Sequence, residues 1–201
     1  MPVTLNASTA SGLIATSDTS GNIELQSNGT TKATVSSTGL AIGQYNPSAS
    51  LITSGTAVAS TSGTSIDFTG IPSWVKRITV MFNGISTNGS SNYLIQIGSG
   101  SFTTSGYTSY ANLNTNTTSS TAGFIQTFNN NAAQTHIGYD VLTLLTGNTW
   151  VSNGQNGRAS DSSMSSSSGS VALGGTLDRV RITTVNGTDT FDAGTINILY
   201  E

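Results

Sequence analysis

The sequence predicts an all-β fold, a jelly-roll-like antiparallel β-sandwich preceded by a short β-hairpin segment, and three observations carry that expectation. Stretches of two-residue apolar alternation recur along the chain, Gly and Asn fill the gaps between them, and no stretch shows a helical stripe. The clearest alternation lies in residues 71–98. There Ile78, Val80 and Phe82 oppose Thr79 and Met81, and Tyr93, Ile95 and Ile97 oppose Leu94 and Gln96. The Gly and Asn residues between Asn83 and Asn92 supply the positive φ values that a reversal needs, which predicts two strands joined by a loop. A second pair, residues 177–185 and 190–200, meets at Asn186-Gly187, a favoured centre for a tight hairpin. Val180 and Ile182, with Ile196, Ile198 and Tyr200, offer apolar faces to the first pair, so two sheets packed face to face are expected.

At 201 residues and 20.5 kDa the chain has room for one full sandwich and a small appendage. Only 7% of its residues are charged, against about 25% in an ordinary domain, so the exterior must consist of Ser, Thr, Asn and Gly. Six basic residues cannot guard the sheet edges in the usual way, and neighbouring subunits are expected to cover them. A net charge of −3 and a pI near 4.8, without a basic cluster, argue against nucleic acid. No apolar run approaches the roughly 18 residues of a spanning helix, so no membrane insertion is expected. The opening Met-Pro-Val-Thr-Leu-Asn lacks the marks of a secretory signal. An exterior-type protein without an export signal needs another route out of the cell, and lysis with a virus particle is one.

In chain order, residues 1–50 differ from the rest. Residues 22–26 and 30–35 flank Ser27-Asn28-Gly29, a hairpin signal, and residues 39–43 add one short apolar piece. Ile23, Leu25, Val35, Leu40 and Ile42 are too few to form a core, and a lone two-stranded ribbon is marginal in water. The segment is expected to order only against copies of itself or another protein, with those five residues making the contacts. Residues 44–56, with Pro47, read as a linker or crossover. Residues 51–201 form the sandwich domain, with early strands at 56–60 and 65–69. The central pair is followed by a polar stretch at 99–121, a strand at 122–128 and a turn at 129–134. Residues 136–146 are apolar around Asp140, and residues 136–145 are the only place a short helix could intrude. A strand begins at Thr149, and residues 157–170, with the unbroken run Ser165 to Ser168, read as a long surface loop before Val171 restarts the sheet.

Residues 18–43 read Asp-Thr-Ser-Gly-Asn-Ile-Glu-Leu-Gln-Ser-Asn-Gly-Thr-Thr-Lys-Ala-Thr-Val-Ser-Ser-Thr-Gly-Leu-Ala-Ile-Gly. This run, with its Ser20-Gly21-Asn22, Gln26, Asn28-Gly29-Thr30-Thr31 and Ala33-Thr34, resembles a segment common in phage tail-fibre and other virion-fibre proteins. Residues 68–85 and 178–200 look like the β-sandwich domains at the ends of such proteins. The resemblance covers about half of the chain. It implies a homotrimer with intertwined N-terminal segments, attached through residues 1–50 to other virion proteins of the tail or capsid. It also implies a place on the virion surface after synthesis in the bacterial host cytoplasm. With almost no shaft, the chain leaves open a small tail fibre, a head fibre or a capsid decoration protein.

Sugars are bound by stacking on an aromatic face while amides and hydroxyls satisfy their hydroxyl groups. Two places have that chemistry: Tyr107 and Tyr110 among Asn112, Asn114 and Asn116, and Trp150 near Asn153, Gln155, Asn156, Arg158 and Asp161, with Tyr107, Tyr110, Asn112, Trp150, Asn153 and Arg158 as the expected glycan contacts. Two readings stand for these aromatics, a site for a bacterial surface polysaccharide or the completion of a core or subunit interface. Trp74, close to Pro72, is expected to plug the end of the sandwich. The single His136, with no Cys and no spaced carboxylates, offers no zinc site, so no metal and no cofactor are expected. An ion shared by three copies of His136 on an axis is the one metal arrangement left. Glycoside hydrolysis usually needs two carboxylates roughly 5 to 9.5 Å apart. Asp140, Asp161, Asp178, Asp189 and Asp192 are available, but three of them sit where turn roles suffice, so no catalytic residue is assigned. The expected function is non-enzymatic adhesion, with a capsule-degrading tailspike as the enzymatic alternative.

Overall fold

A computed structural model of the chain describes residues 22–36, 39–42, 52–126, 131–132, 134–159 and 161–201. It divides into two compact units, Met1–Leu51 and Ile52–Glu201. Residues 44–51 of the expected linker at 44–56, and half of the turn at 129–134, lie outside the described residues; within that linker Thr53–Ser54 is a strand, because its backbone pairs with Leu199 and Tyr200.

The first unit is a three-stranded antiparallel sheet of β1 (Ile23–Ser27), β2 (Thr30–Ser36) and β3 (Gly39–Ile42), in that order. Asn28 and Gly29 both take positive φ, 52° and 71°, the two-residue reversal whose twist matches its flanking strands. The register pairs Ile23 with Val35 and Val35 with Leu40, and likewise Leu25 with Ala33 and Ala33 with Ile42. Because strand side chains alternate, Ile23, Leu25, Ala33 and Val35 share one face.

The second unit is an antiparallel β-sandwich without helices among its described residues. Its strands are β4 (Thr53–Ser54), β5 (Val58–Ala59), β6 (Ile66–Thr69), β7 (Arg77–Thr87), β8 (Tyr93–Ser99), β9 (Ser101–Phe102), β10 (Thr108–Leu113), β11 (Asn116–Ser120), β12 (Phe124–Ile125), β13 (His136–Thr146), β14 (Thr149–Arg158), β15 (Ser163–Ala172), β16 (Arg179–Thr184) and β17 (Phe191–Tyr200). A nine-stranded sheet runs β11-β10-β15-β14-β13-β7-β17-β4, with β5 also on β17. A five-stranded sheet runs β12-β8-β16-β6, with β9 on β8.

Two expectations are corrected here. The Asn186-Gly187 pair β16/β17 is not a hairpin: like the loop-joined strands β7 and β8, it crosses from one sheet to the other, so that β7 pairs with β17 and β8 with β16. Their connecting loops clasp each other, Ser91 N donating to Asp189 (2.9 Å), Asn186 N to Ser91 Oγ (3.0 Å) and Thr190 N to Asn88 Oδ1 (2.8 Å). These nested pairs are as far as the jelly-roll likeness reaches, because β13, β14 and β15 form a simple meander. Second, residues 163–170 are a strand and not a loop. Ser165 and Ser167 point inward and Ser166 and Ser168 outward, an alternation that a run of identical residues hides. Residues 136–146, the one place a short helix could have intruded, are a strand throughout.

The core lies between the sheets. Ile78, Val80, Phe82, Leu142, Trp150, Ile196 and Ile198 meet Ile66, Phe68, Ile95, Ile97, Phe124, Val180 and Ile182, giving the apolar area whose removal from water drives folding. Trp74 does not fill the end of the sandwich. It lies against Tyr200 with ring centroids 5.9 Å apart and keeps 53% of its surface exposed.

Candidate functional site

The outer face of the nine-stranded sheet carries the candidate site. Register aligns one row as Ser119, Tyr110, Ser168, Asn153, Val141, Thr79 and Leu199, and the next as Thr117, Asn112, Ser166, Gln155, Tyr139, Met81 and Asn197. Neither row contains a charged side chain. Tyr110 and Tyr139 stand 52% and 46% exposed. Three strand spacings and one row separate them, roughly 16 Å, with amides and hydroxyls between. Ser166 Oγ donates to Asn112 Oδ1 (3.1 Å), Asn112 Nδ2 to Asn114 O (3.2 Å) and Asn153 Nδ2 to Ser167 O (3.2 Å), so the amides are held in place while lone pairs and protons remain for a ligand. Two uncharged rows with two phenol rings suit an uncharged polyhydroxylated ligand, while the next row brings Arg77, paired with Glu201 at 3.1 Å.

Of the six residues expected to bind glycan, Tyr110, Asn112 and Asn153 are on this face and exposed, and the other three are not. Tyr107 is buried: its hydroxyl accepts from Ile97 N (2.9 Å), lies within reach of the Ile97 and Thr103 carbonyls, and its ring meets Phe124 edge-on at 4.9 Å. Burial pushes that hydroxyl up to about 12. Trp150 is buried in the core. Arg158 is buried on the inner face, its guanidinium bonded to Asp161 across the β14–β15 turn. Each was placed by composition; strand parity turns Trp150 and Arg158 inward, and Tyr107, just ahead of β10, is held inside by its hydroxyl's hydrogen bonds. The same parity puts Gln155, Tyr139, Ser166 and Ser168 on the outer face. Of these, sequence reasoning names Gln155 and misses Tyr139, Ser166 and Ser168, although the alternation of residues 136–146 carries the signal for Tyr139.

Behind this face the interior is polar. Asp140 is wholly buried, with Ser152 Oγ 2.9 Å from both carboxylate oxygens and Ser167 Oγ 3.3 Å from Oδ2. Gln126 ties in Ser167 through Oε1 (3.3 Å), and its carbonyl accepts from Asn156 Nδ2 (3.3 Å). Desolvation outweighs those hydrogen bonds and raises the Asp140 carboxyl to about 6. Gly154 lies between Asp140 and Ser167 in register. A Cβ there would sit 2.6 Å from Asp140 Oδ2 and 2.8 Å from the Tyr139 carbonyl, so only glycine lets the network close. Gly154→Ala is expected to lower stability by about 1–3 kcal/mol, read as a lower midpoint in thermal or urea unfolding followed by circular dichroism.

His136 also faces inward, without exposure, edge-on to Tyr93 at 5.0 Å, and neither ring nitrogen has a hydrogen-bond partner. An axial ion shared by three copies of this side chain is thereby excluded, because the ring cannot reach the surface. Burial first, then the Arg158 guanidinium, holds the imidazole down at about 4. The carboxylates weighed for hydrolysis have local partners: Asp161 with Arg158, Asp178 with Arg179 and Gly100 N, Asp189 with Ser91 and Asn186, and Asp192 with Ser86. Among the described residues no three His, Cys, Asp or Glu side chains gather where they could hold a metal ion.

Compared with protein-family models, with curated proteins and with solved structures, the chain finds no match in any of the three.

Proposed function

We propose that the chain is a structural virion protein of a tailed phage: a small homotrimeric tail fibre whose first 50 residues attach to other virion proteins and whose sandwich adheres, without catalysis, to a host surface glycan. The observation that carries this reading is the apolar face of the N-terminal sheet. Ile23, Leu25 and Val35 are 63%, 41% and 42% exposed there, large side chains gathered on one side of a sheet too small to cover them itself. Copies of the same sheet supply a matching cover, which agrees with the fibre resemblance of residues 18–43. The two uncharged rows on the outer face of the nine-stranded sheet then serve for adhesion. Three weak sites on one fibre, and many fibres on one particle, convert weak contacts into lasting attachment.

The test is binding of fluorescently labelled protein to host cells, with purified surface polysaccharide as competitor. Tyr110→Ala with Tyr139→Ala is expected to weaken the single-site affinity about tenfold or more, since each ring contributes on the order of 1 kcal/mol. Undiminished binding by that double variant contradicts adhesion through this face. Release of reducing ends during incubation contradicts the non-enzymatic reading, and label found on the heads of intact particles replaces the tail fibre with a head fibre or decoration protein.

A further inference from the structure

We infer that the open edge of the sandwich holds a second saccharide site, one that takes a single uncharged sugar ring beside Trp74 and Tyr200. The inference takes its ligand class from the adhesion reading and gives it a separate place on the molecule. A groove of about 280 Å³ runs there between the outermost strand of the five-stranded sheet and the outermost strands of the nine-stranded one, lined among others by Thr56, Asp67, Thr69, Ile71, Ile198 and Tyr200. That volume is at the small end for ligand sites, room for one ring and not for an extended chain.

Four features give the groove its chemistry. Trp74 is the largest exposed aromatic among the described residues, and its ring is tilted 48° against Tyr200, which lines the groove. An indole face half open to water beside a concavity is the arrangement on which the C–H face of a sugar stacks. Thr56 and Thr69 bring hydroxyls. Beyond β6 no further strand is paired among the described residues, so its edge presents backbone N–H and C=O groups to ligand hydroxyls. The charge is already settled, because Asp67 accepts both Nε (2.8 Å) and Nη2 (2.6 Å) of Arg181, whose guanidinium lies 4.0 Å from the Phe102 ring centroid. A carboxylate held and neutralised in this way keeps acceptor capacity without recruiting a cation, which favours an uncharged ligand.

The chain has two tryptophans, one exposed and one buried, and this makes the test direct. In 15N-labelled full-length protein, D-glucose, D-galactose and N-acetyl-D-glucosamine are titrated singly to about 10 mM, where a site with a Kd of about 1 mM is nine-tenths full. At least one of the three is expected to move the Trp74 indole signal saturably, together with the Thr56 and Thr69 amides, while the Trp150 indole stays fixed. Trp74→Ala, an exposed position, is expected to keep the fold and weaken the Thr56 and Thr69 response about tenfold. A Trp74 indole unmoved by all three sugars overturns the inference, as does a Trp74 already shielded from acrylamide quenching in the free protein, which assigns this edge to contact between copies. If the Trp74 signal is silent while Gln155 and Tyr139 respond, the groove fails and adhesion through the sheet face stands. The reverse pattern keeps the groove and removes the face.

Discussion

Asp140→Asn is expected to stabilise the protein at pH 7 by about 3 kcal/mol, the free energy that separates a carboxyl titrating at about 6 from one at 3.8. The folded protein binds a proton at Asp140 that the unfolded chain has released between those two values, so this group's contribution falls as pH rises through the window. Above pH 6 the fold carries a buried carboxylate whose hydrogen bonds from Ser152 and Ser167 do not offset desolvation. Asparagine keeps the shape and the oxygen without the charge. His136 works in the opposite direction: its imidazole stays neutral in the fold down to about 4, whereas the unfolded chain takes up a proton at 6.5, so its contribution is complete above 6.5 and lost as pH falls to 4. Between pH 4 and 6 the two nearly cancel. The wild-type stability is therefore expected to be almost flat there, and Asp140→Asn to expose a decline of about 3 kcal/mol from pH 6.5 to 4. Urea unfolding at pH 4, 5, 6 and 7 checks both, and a steep wild-type slope or a destabilised Asn variant at pH 7 contradicts the account of this network.

Ile23→Asp with Val35→Asp is expected to dissociate the proposed trimer. The two residues are direct cross-strand partners, so in a threefold assembly the pair places six carboxylates on surfaces that must lose water. An uncompensated charge costs several kcal/mol when buried, and even about 3 kcal/mol raises the dissociation constant more than a hundredfold. Lys32→Glu, an exposed change on the same strand but of the other parity to Ala33 and Val35, is expected to leave the assembly intact. Size-exclusion chromatography with light scattering separates the outcomes. A double variant that keeps the wild-type mass would show that this face is not the contact.

Much of this fold was legible because it obeys a period. Ile78-Val80-Phe82 and Ile196-Ile198 alternate visibly, and Asn28-Gly29 marks its own reversal, so β1, β2, β7 and β17 followed from the residues. What alternation cannot tell is which strand is the neighbour. Asn186-Gly187 makes a turn with Gly187 at φ 66°, yet the turn bridges two sheets, because β17 finds the long strand β7 and β16 finds β8. The serine run hid a strand because its inward members are satisfied by Gln126 and Asp140 and not by apolar neighbours. Half of the expected glycan residues turned out to be interior for a related reason. Composition brought Tyr107, Trp150 and Arg158 close to amides in sequence, but which face each side chain takes depends on a register set by distant partners.

The claim beneath the rest is that the N-terminal sheet is completed by copies of itself. Sedimentation equilibrium of the full chain tests this most directly. The account predicts a single species at three times the 20.5 kDa chain mass, and a stable, well-folded species at the mass of one chain, with Ile23, Leu25 and Val35 left open to water, would contradict it.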